Sequence, residues 1–133
     1  MRVLVCGGRD FRGRTAVFAA LNDAHAEATV TALAHGACRA RWRGKDLDVD
    51  LMTGADRWAD EWALEHNLVP DRFPVKHELD GPWPAAGPRR NARMLTAFKP
   101  SIVVGFPGGR GTADMIARAK QAGVAVIEIA EVK

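Results

Sequence analysis

The sequence predicts a doubly wound α/β domain, an open and mainly parallel sheet with helices on both faces. Three observations carry that reading. Short apolar, β-prone runs recur along the 133 residues, several end in glycine, and the segments that follow place apolar residues at helical spacing.

Arg2 to Cys6 is a short apolar strand that stops at Gly7-Gly8. Phe11 to Arg14 then leads to Thr15, the expected N-cap, after which Val17, Phe18, Leu21 and Ala24 share a helical face. Thr29 to Ala34 is a second β-prone run, closing at His35-Gly36, and Leu47 to Met52 is a third, closing at Thr53-Gly54. From Ala55 to His66, Trp58, Ala59, Trp62 and Ala63 line one side of a helix, a pattern that suits core better than base stacking. Val69 to Val75 reads as a strand that Pro70 and Pro74 push to the sheet edge. Asp80 to Pro88 holds three prolines and two glycines and reads as a loop; Arg89 to Phe98 is helical again until Pro100 stops it. Ser101 to Phe106 is the strongest strand. It runs through Pro107-Gly108-Gly109-Arg110-Gly111-Thr112 into a helix from Ala113 to Ala122, with Gly123 as the C′ residue and Val124 to Ile129 as the last strand.

Composition narrows the function. A chain of this length is expected to form one domain, and 47% hydrophobic with 26% charged residues is enough to close a core. No apolar run approaches the roughly 18 residues of a membrane span, and the N-terminal apolar stretch is too short for a signal peptide, so a cytoplasmic protein is expected. Cys6 and Cys38 fit neither a disulfide framework nor a zinc site, and His25, His35, His66 and His77 have no metal spacing, so no metal is expected. The basic residues cluster at Arg39, Arg41, Arg43 and Lys45 and at Arg89, Arg90 and Arg93, yet the net charge is only 19 − 16 = +3, which argues against nucleic acid as a partner.

In doubly wound folds ligands bind beyond the carboxyl ends of the strands, where this chain concentrates its glycines. Gly7-Gly8-Arg9 follows the first strand, Gly54-Ala55-Asp56 opens a helix, and the 107 to 112 run joins the strongest strand to its helix. Unpaired N–H groups at a helix start attract anions, and glycines let a phosphate approach them. A bare strand-to-helix turn needs one or two glycines rather than three. There is no Gly-Lys-Ser/Thr and no G-x-G-x-x-G after the first strand, so neither ATP hydrolysis nor a dinucleotide cofactor is expected. Arg9 either covers a phosphate or is a solvated surface residue. Asp56 either binds ribose hydroxyls or complements the helix dipole. Arg90 reads as a ligand contact that the fold itself does not need, Arg93 as an ion-pairing or phosphate-side partner, and Trp83 as a base-stacking or lid residue.

These residues resemble the SLOG superfamily, which includes the Lonely Guy nucleotide phosphoribohydrolases and the DprA/Smf proteins, and most closely its YspA/YpsA-related branch. Four elements match in order: Cys6 to Asp10 (CGGRD), Gly54 to Asp56 (GAD), Ala86 to Met94 (AGPxRNxxM) and Pro107 to Thr112 (PGGxGT). The resemblance implies a Rossmann-like domain that binds a nucleotide or nucleotide-derived ligand, with Pro107, Gly108, Gly109, Arg110, Gly111 and Thr112 around its phosphate and Arg90 and Asn91 nearby. In Lonely Guy enzymes the arginine matching Arg90 and a glutamate closing PGGxGTxxE serve N-glycosidic cleavage. Here that glutamate is Met115, read as lying on an exposed helix start, and Asp114 stands one residue earlier, about 100° around the helix. The lysine that often follows the arginine is Asn91. The expectation is therefore a binding module first, a phosphoribohydrolase using Arg90 and Asp114 second, and single-stranded DNA binding as in DprA last. Lonely Guy relatives suggest a homodimer or larger assembly. Relative to the branch, Ala40 to Thr53 is an insertion, expected as an extra strand, a hairpin or a solvated excursion.

Overall fold

The computed structural model describes residues 1–38 and 52–130. Its elements are β1 (Arg2–Cys6), α1 (Arg14–Glu27), β2 (Ala32–His35), α2 (Gly54–Glu65), β3 (Asp71–Arg72), α3 (His77–Asp80), α4 (Ala86–Phe98), β4 (Ile102–Gly105), α5 (Arg110–Gln121) and β5 (Ala125–Glu128). All strand pairs are parallel, in the order β3-β2-β1-β4-β5. The chain winds outward from β1 to β3, then crosses back to build β4 and β5 on the other side. This reversal opens a crevice beyond the carboxyl ends of β1 and β4, the place where such sheets take ligands.

The first strand lacks an alternating pattern because it is buried on both faces. Val3 and Val5 pack with Val17, Leu21, Ala59 and Trp62 beneath α1 and α2. Leu4 and Cys6 point the other way, to Met94, Phe98, Met115 and Ala119 beneath α4 and α5. Each large apolar side chain so buried contributes about 1.5–3 kcal/mol. Register Val3↔Ile102 through Cys6↔Gly105 then brings the two following turns level, with the Phe106 N–H on Cys6 O at 2.9 Å.

Several boundaries differ from the expectation. Gly13, not Thr15, occupies the N-cap of α1, which starts at Arg14. Within the segment expected to be loop, α4 already begins at Ala86, and the short α3 ends at Asp80. Pro88 is tolerated there because the first helical N–H groups have no partner four residues back. Gly123 does close α5: its φ is 75°, its N–H reaches Lys120 O at 3.1 Å, and Val124 N–H reaches Ala119 O at 2.9 Å, the paired bonds of a Schellman end. The expected strand Leu47 to Met52 and the Ala40 to Thr53 insertion lie outside the described residues, except Met52, which is buried, and Thr53, whose N–H bonds Cys38 O at 2.9 Å.

A buried polar network ties β2, α2 and β3. His35 Nδ1 accepts the Ala37 N–H at 2.9 Å, so its proton sits on Nε2 and is donated to Asp60 at 2.8 Å. Arg72 adds two bonds to the same carboxylate, at 2.7 and 3.1 Å. Burial alone would raise the Asp60 pKa, but the bonds from His35 and Arg72, together with the Arg72 charge, outweigh it and hold it at about 2. A depressed carboxylate stabilises the fold above its unfolded pKa of about 4, and that contribution disappears as pH falls through the folded value. The side chain is only 4% exposed, so the effect is expected to reach about 2 kcal/mol. Chemical denaturation between pH 4 and 2 should show wild type losing stability more steeply than Asp60→Asn; equal slopes would remove Asp60 as the cause.

Candidate functional site

Three glycine turns interlock at the carboxyl end of the sheet. Gly8 N–H bonds Pro107 O at 2.9 Å, joining the turn after β1 to the turn after β4. A Cβ on Gly108 would press into Thr112 Oγ1 and stand 2.6 Å from the Gly8 nitrogen, while one on Gly7 would stand 2.6 Å from Ala55 Cβ. Gly54, at φ 71°, would drive a Cβ into Gly8 O and to 2.8 Å from Arg9 Cα. These glycines are required by the close packing of the turns on one another and on Ala55, Phe106 and Thr112.

Gly109 and Gly111 are different. A Cβ at either would meet nothing within 4 Å, and neither has a left-handed φ. Gly111 even lies in the first turn of α5, where glycine costs about 0.5–1 kcal/mol against alanine. The first helical bond of α5 is Ala113 N–H to Gly109 O at 3.1 Å, and Gly109 makes no side-chain cap bond. The N–H groups of Gly109, Arg110, Gly111 and Thr112 thus precede the ladder, and two of the four residues carrying them have no side chain to cover them.

A cavity of about 500 Å³ opens over this turn, within the range of small-molecule sites. Of the residues singled out in the sequence, Gly7, Gly8, Arg9, Asp56, Trp83, Arg90, Asn91, Gly109, Arg110, Gly111 and Thr112 line it. Gly54, Pro107, Gly108 and Asp114 do not line it. Val5, Cys6, Gly36, Ala37, Cys38, Val75, Gly87 and Met94 complete the lining without having been singled out for the site. Gly36 carried the same signal as the others, a glycine directly after a strand.

Arg9 and Arg110 are exposed and make no ion pair among the described residues, which leaves their charge to the cavity. Arg90 is placed otherwise than the sequence suggested. Its Nη1 donates to Gly36 O at 2.6 Å and Phe73 O at 3.0 Å, and its Nε to Asn91 Oδ1 at 3.0 Å. It ties α4 to the ends of β2 and β3 while lining the cavity, so the fold does need it. Asn91, buried, passes the tie on, donating to Gly111 O at 3.1 Å and Asp114 Oδ2 at 3.0 Å. Arg93 pairs with the buried Asp80 through two bonds of 2.9 Å. Trp83 is 55% exposed at the cavity, its ring edge-on to His77.

Asp56 is 3% exposed. Oδ2 accepts the Cys38 N–H at 3.0 Å, and Oδ1, buried, has no hydrogen-bond partner among the described residues. Thr53 and Asp56 have the spacing of a capping box, yet the box does not form: Thr53 makes no side-chain cap bond and its N–H goes to Cys38 O. The helix-dipole reading of Asp56 therefore explains only part of its placement. Burial, and then the Asp56 charge, raise the Cys6 and Cys38 thiols to about 12 each, so both stay protonated and are poor nucleophiles.

Two comparisons bear on ancestry. Residues 1–41 match the model of the YspA, cpYpsA-related SLOG family. The gene 61 protein of Mycobacterium phage D29 is 33% identical over 138 residues, spanning 98% of this chain and 97% of that protein. The chain belongs to the YspA/cpYpsA-related SLOG family. A crystal structure of a universal stress protein family member from Burkholderia pseudomallei aligns with 96% of this chain and 94% of its own, at 14% identity and a TM-score of 0.47.

For this SLOG domain the departures from the Lonely Guy pattern now have a structural content. Met115 is 1% exposed and packs in the cluster with Leu4, Met94 and Phe98, not on an exposed helix start. Thr112, Met115 and Ala119 form the inward stripe of α5, so a residue three positions after Thr112 points into the sheet. Asp114, one position back, is held by Arg118 at 2.8 Å and by Asn91. Among the described residues lining the SLOG cavity, Asp56 is the only carboxylate. No helix among the described residues is long and apolar enough to cross a membrane.

Proposed function

We propose that this SLOG domain is a cytoplasmic binding module for a nucleotide or nucleotide-derived ligand, held by its phosphate on the N–H groups of Gly109 to Thr112. The observation that carries the reading is Gly111, whose missing side chain neither packing nor its helical backbone requires, beside Gly109, where a side chain would likewise meet open space. A phosphate there would meet the positive end of α5 and the free charges of Arg9 and Arg110, which favour an anion over a neutral ligand. The cavity is large enough for a base and sugar beside it, and Trp83 offers an exposed indole face at its wall.

Hydrolysis is the weaker reading. In the Lonely Guy pattern the carboxylate that serves cleavage stands on the helix after the glycine turn, and here Asp114 of α5 does not line the cavity and is committed to Arg118 and Asn91. Met115 offers no charge. Binding thus remains the activity that the lining residues support.

Calorimetric titration of the four common ribonucleoside 5′-monophosphates tests the proposal, with Gly111→Val as the decisive variant. Its side chain enters open space, so melting should stay close to wild type, whereas covering the amides should weaken binding at least about tenfold, the loss of one charge-assisted contact. Undiminished affinity in a folded Gly111→Val protein would overturn the phosphate site.

A further inference from the structure

We infer that Asp56 reads a sugar hydroxyl, so that the ligand of this site is a ribonucleotide and its deoxy forms are rejected. The inference rests on the nucleotide reading above and deepens it. Its basis is a residue of the cavity lining, Asp56, one of whose carboxylate oxygens is buried and unpartnered among the described residues. A buried acceptor left without a donor is costly, and nearly all such groups in folded proteins are paired. The protein had two ways to satisfy it locally and uses neither. The capping box with Thr53 is not made, and the Cys38 backbone N–H is spent on the other oxygen, Oδ2. The Cys38 thiol beside it, kept protonated by burial and by this same carboxylate, is only a weak donor.

The position of Asp56 selects which ligand group would supply the donor. It lies in the first turn of α2, whose leading residue, Gly54, packs directly on Gly8 and Arg9 of the turn that is bonded to Pro107. Asp56 is therefore next to the anion-binding turn, on the α2 face of the sheet, while α4 and α5 cover the other face. In a 5′-nucleotide the group directly attached to the phosphate is the sugar, and its 2′ and 3′ hydroxyls are neutral donors. An ionised carboxylate would repel a second phosphate oxygen but accept a hydroxyl proton in a charge-assisted bond. A site built to bond a hydroxyl discriminates strongly against the analogue that lacks it, because the buried acceptor is then left unpaired.

The test compares each ribonucleoside 5′-monophosphate with its 2′-deoxy and 3′-deoxy forms by calorimetry on the unmodified protein, then repeats the comparison with Asp56→Asn. At least one deoxy form should bind about tenfold or more weakly, in the range of a lost charge-assisted bond, and Asp56→Asn should bring that ratio within about threefold. Equal binding of ribo and both deoxy forms by the unmodified protein would overturn the inference while leaving the phosphate site standing. A ratio unchanged by Asp56→Asn would assign the discrimination to another residue and overturn it as well. Failure of all the nucleotides to bind would remove the nucleotide reading itself, and this inference with it.

Discussion

Gly54→Ala is expected to destabilise the domain by about 3 kcal/mol or more, enough to unfold a protein of ordinary stability. Two costs combine. At φ 71° an alanine is held in the left-handed region, worth about 1–2 kcal/mol by itself. The larger cost is steric, since its Cβ would enter Gly8 O and approach Arg9 Cα to 2.8 Å, and both are backbone atoms of a turn that Pro107 O already fixes from the other side. No side chain can swing away to relieve the contact. Thermal melting or solubility of Gly54→Ala beside Gly111→Ala checks this. The second should melt at or above the wild-type temperature, because its Cβ meets nothing and alanine suits a helix better. A Gly54→Ala protein as stable as wild type would show that the two turns are not clamped as described.

Met115→Glu, the substitution that restores the Lonely Guy glutamate in sequence, is expected to unfold the protein rather than activate it. The side chain at 115 is 1% exposed in the cluster with Leu4, Met94, Phe98 and Val103. A glutamate there would be neutralised by a raised pKa or would break the cluster, and loss of the methionine packing adds to either, for about 4 kcal/mol or more in total. The check is the folded fraction of Met115→Glu by circular dichroism, followed by chromatography for free base released from AMP by whatever folds. A well-folded variant that releases base would mean that α5 can turn residue 115 toward the cavity, and the hydrolytic reading would return.

What the sequence made legible was the local grammar. Strand, glycine turn and helix follow one another along β1, β4 and α5 with signals only a few residues apart, and the inward stripe of α2 was visible in Ala59, Trp62 and Ala63. The turn at 107–112 was legible for the same reason, although its glycines divide between packing at Gly108 and open space at Gly109 and Gly111 only once the turn after β1 is in place. Properties set by residues far apart in the chain were not legible. Arg90 looked free because its acceptors, Gly36 O and Phe73 O, lie 54 and 17 positions away. Met115 looked exposed because position 115 falls near a helix start, but the tilt of α5 against β4 decides which face is covered. The beginning of α4 hid behind Pro82, Pro84 and Pro88, a run that reads as loop until the unpaired N–H groups of a first turn are counted. The free oxygen of Asp56 was hidden likewise, since the Cys38 N–H that holds its other oxygen arrives from the segment after β2.

The phosphate site is tested most directly by which backbone amides move when a ligand binds. In a ¹H–¹⁵N correlation spectrum of the ¹⁵N-labelled protein titrated with AMP, and separately with inorganic phosphate, large saturable shifts are expected at Gly109, Arg110, Gly111 and Thr112 with both ligands, since the amides at the start of α5 take the group the two ligands share. Saturable shifts confined to other amides, with those four unmoved, would contradict it.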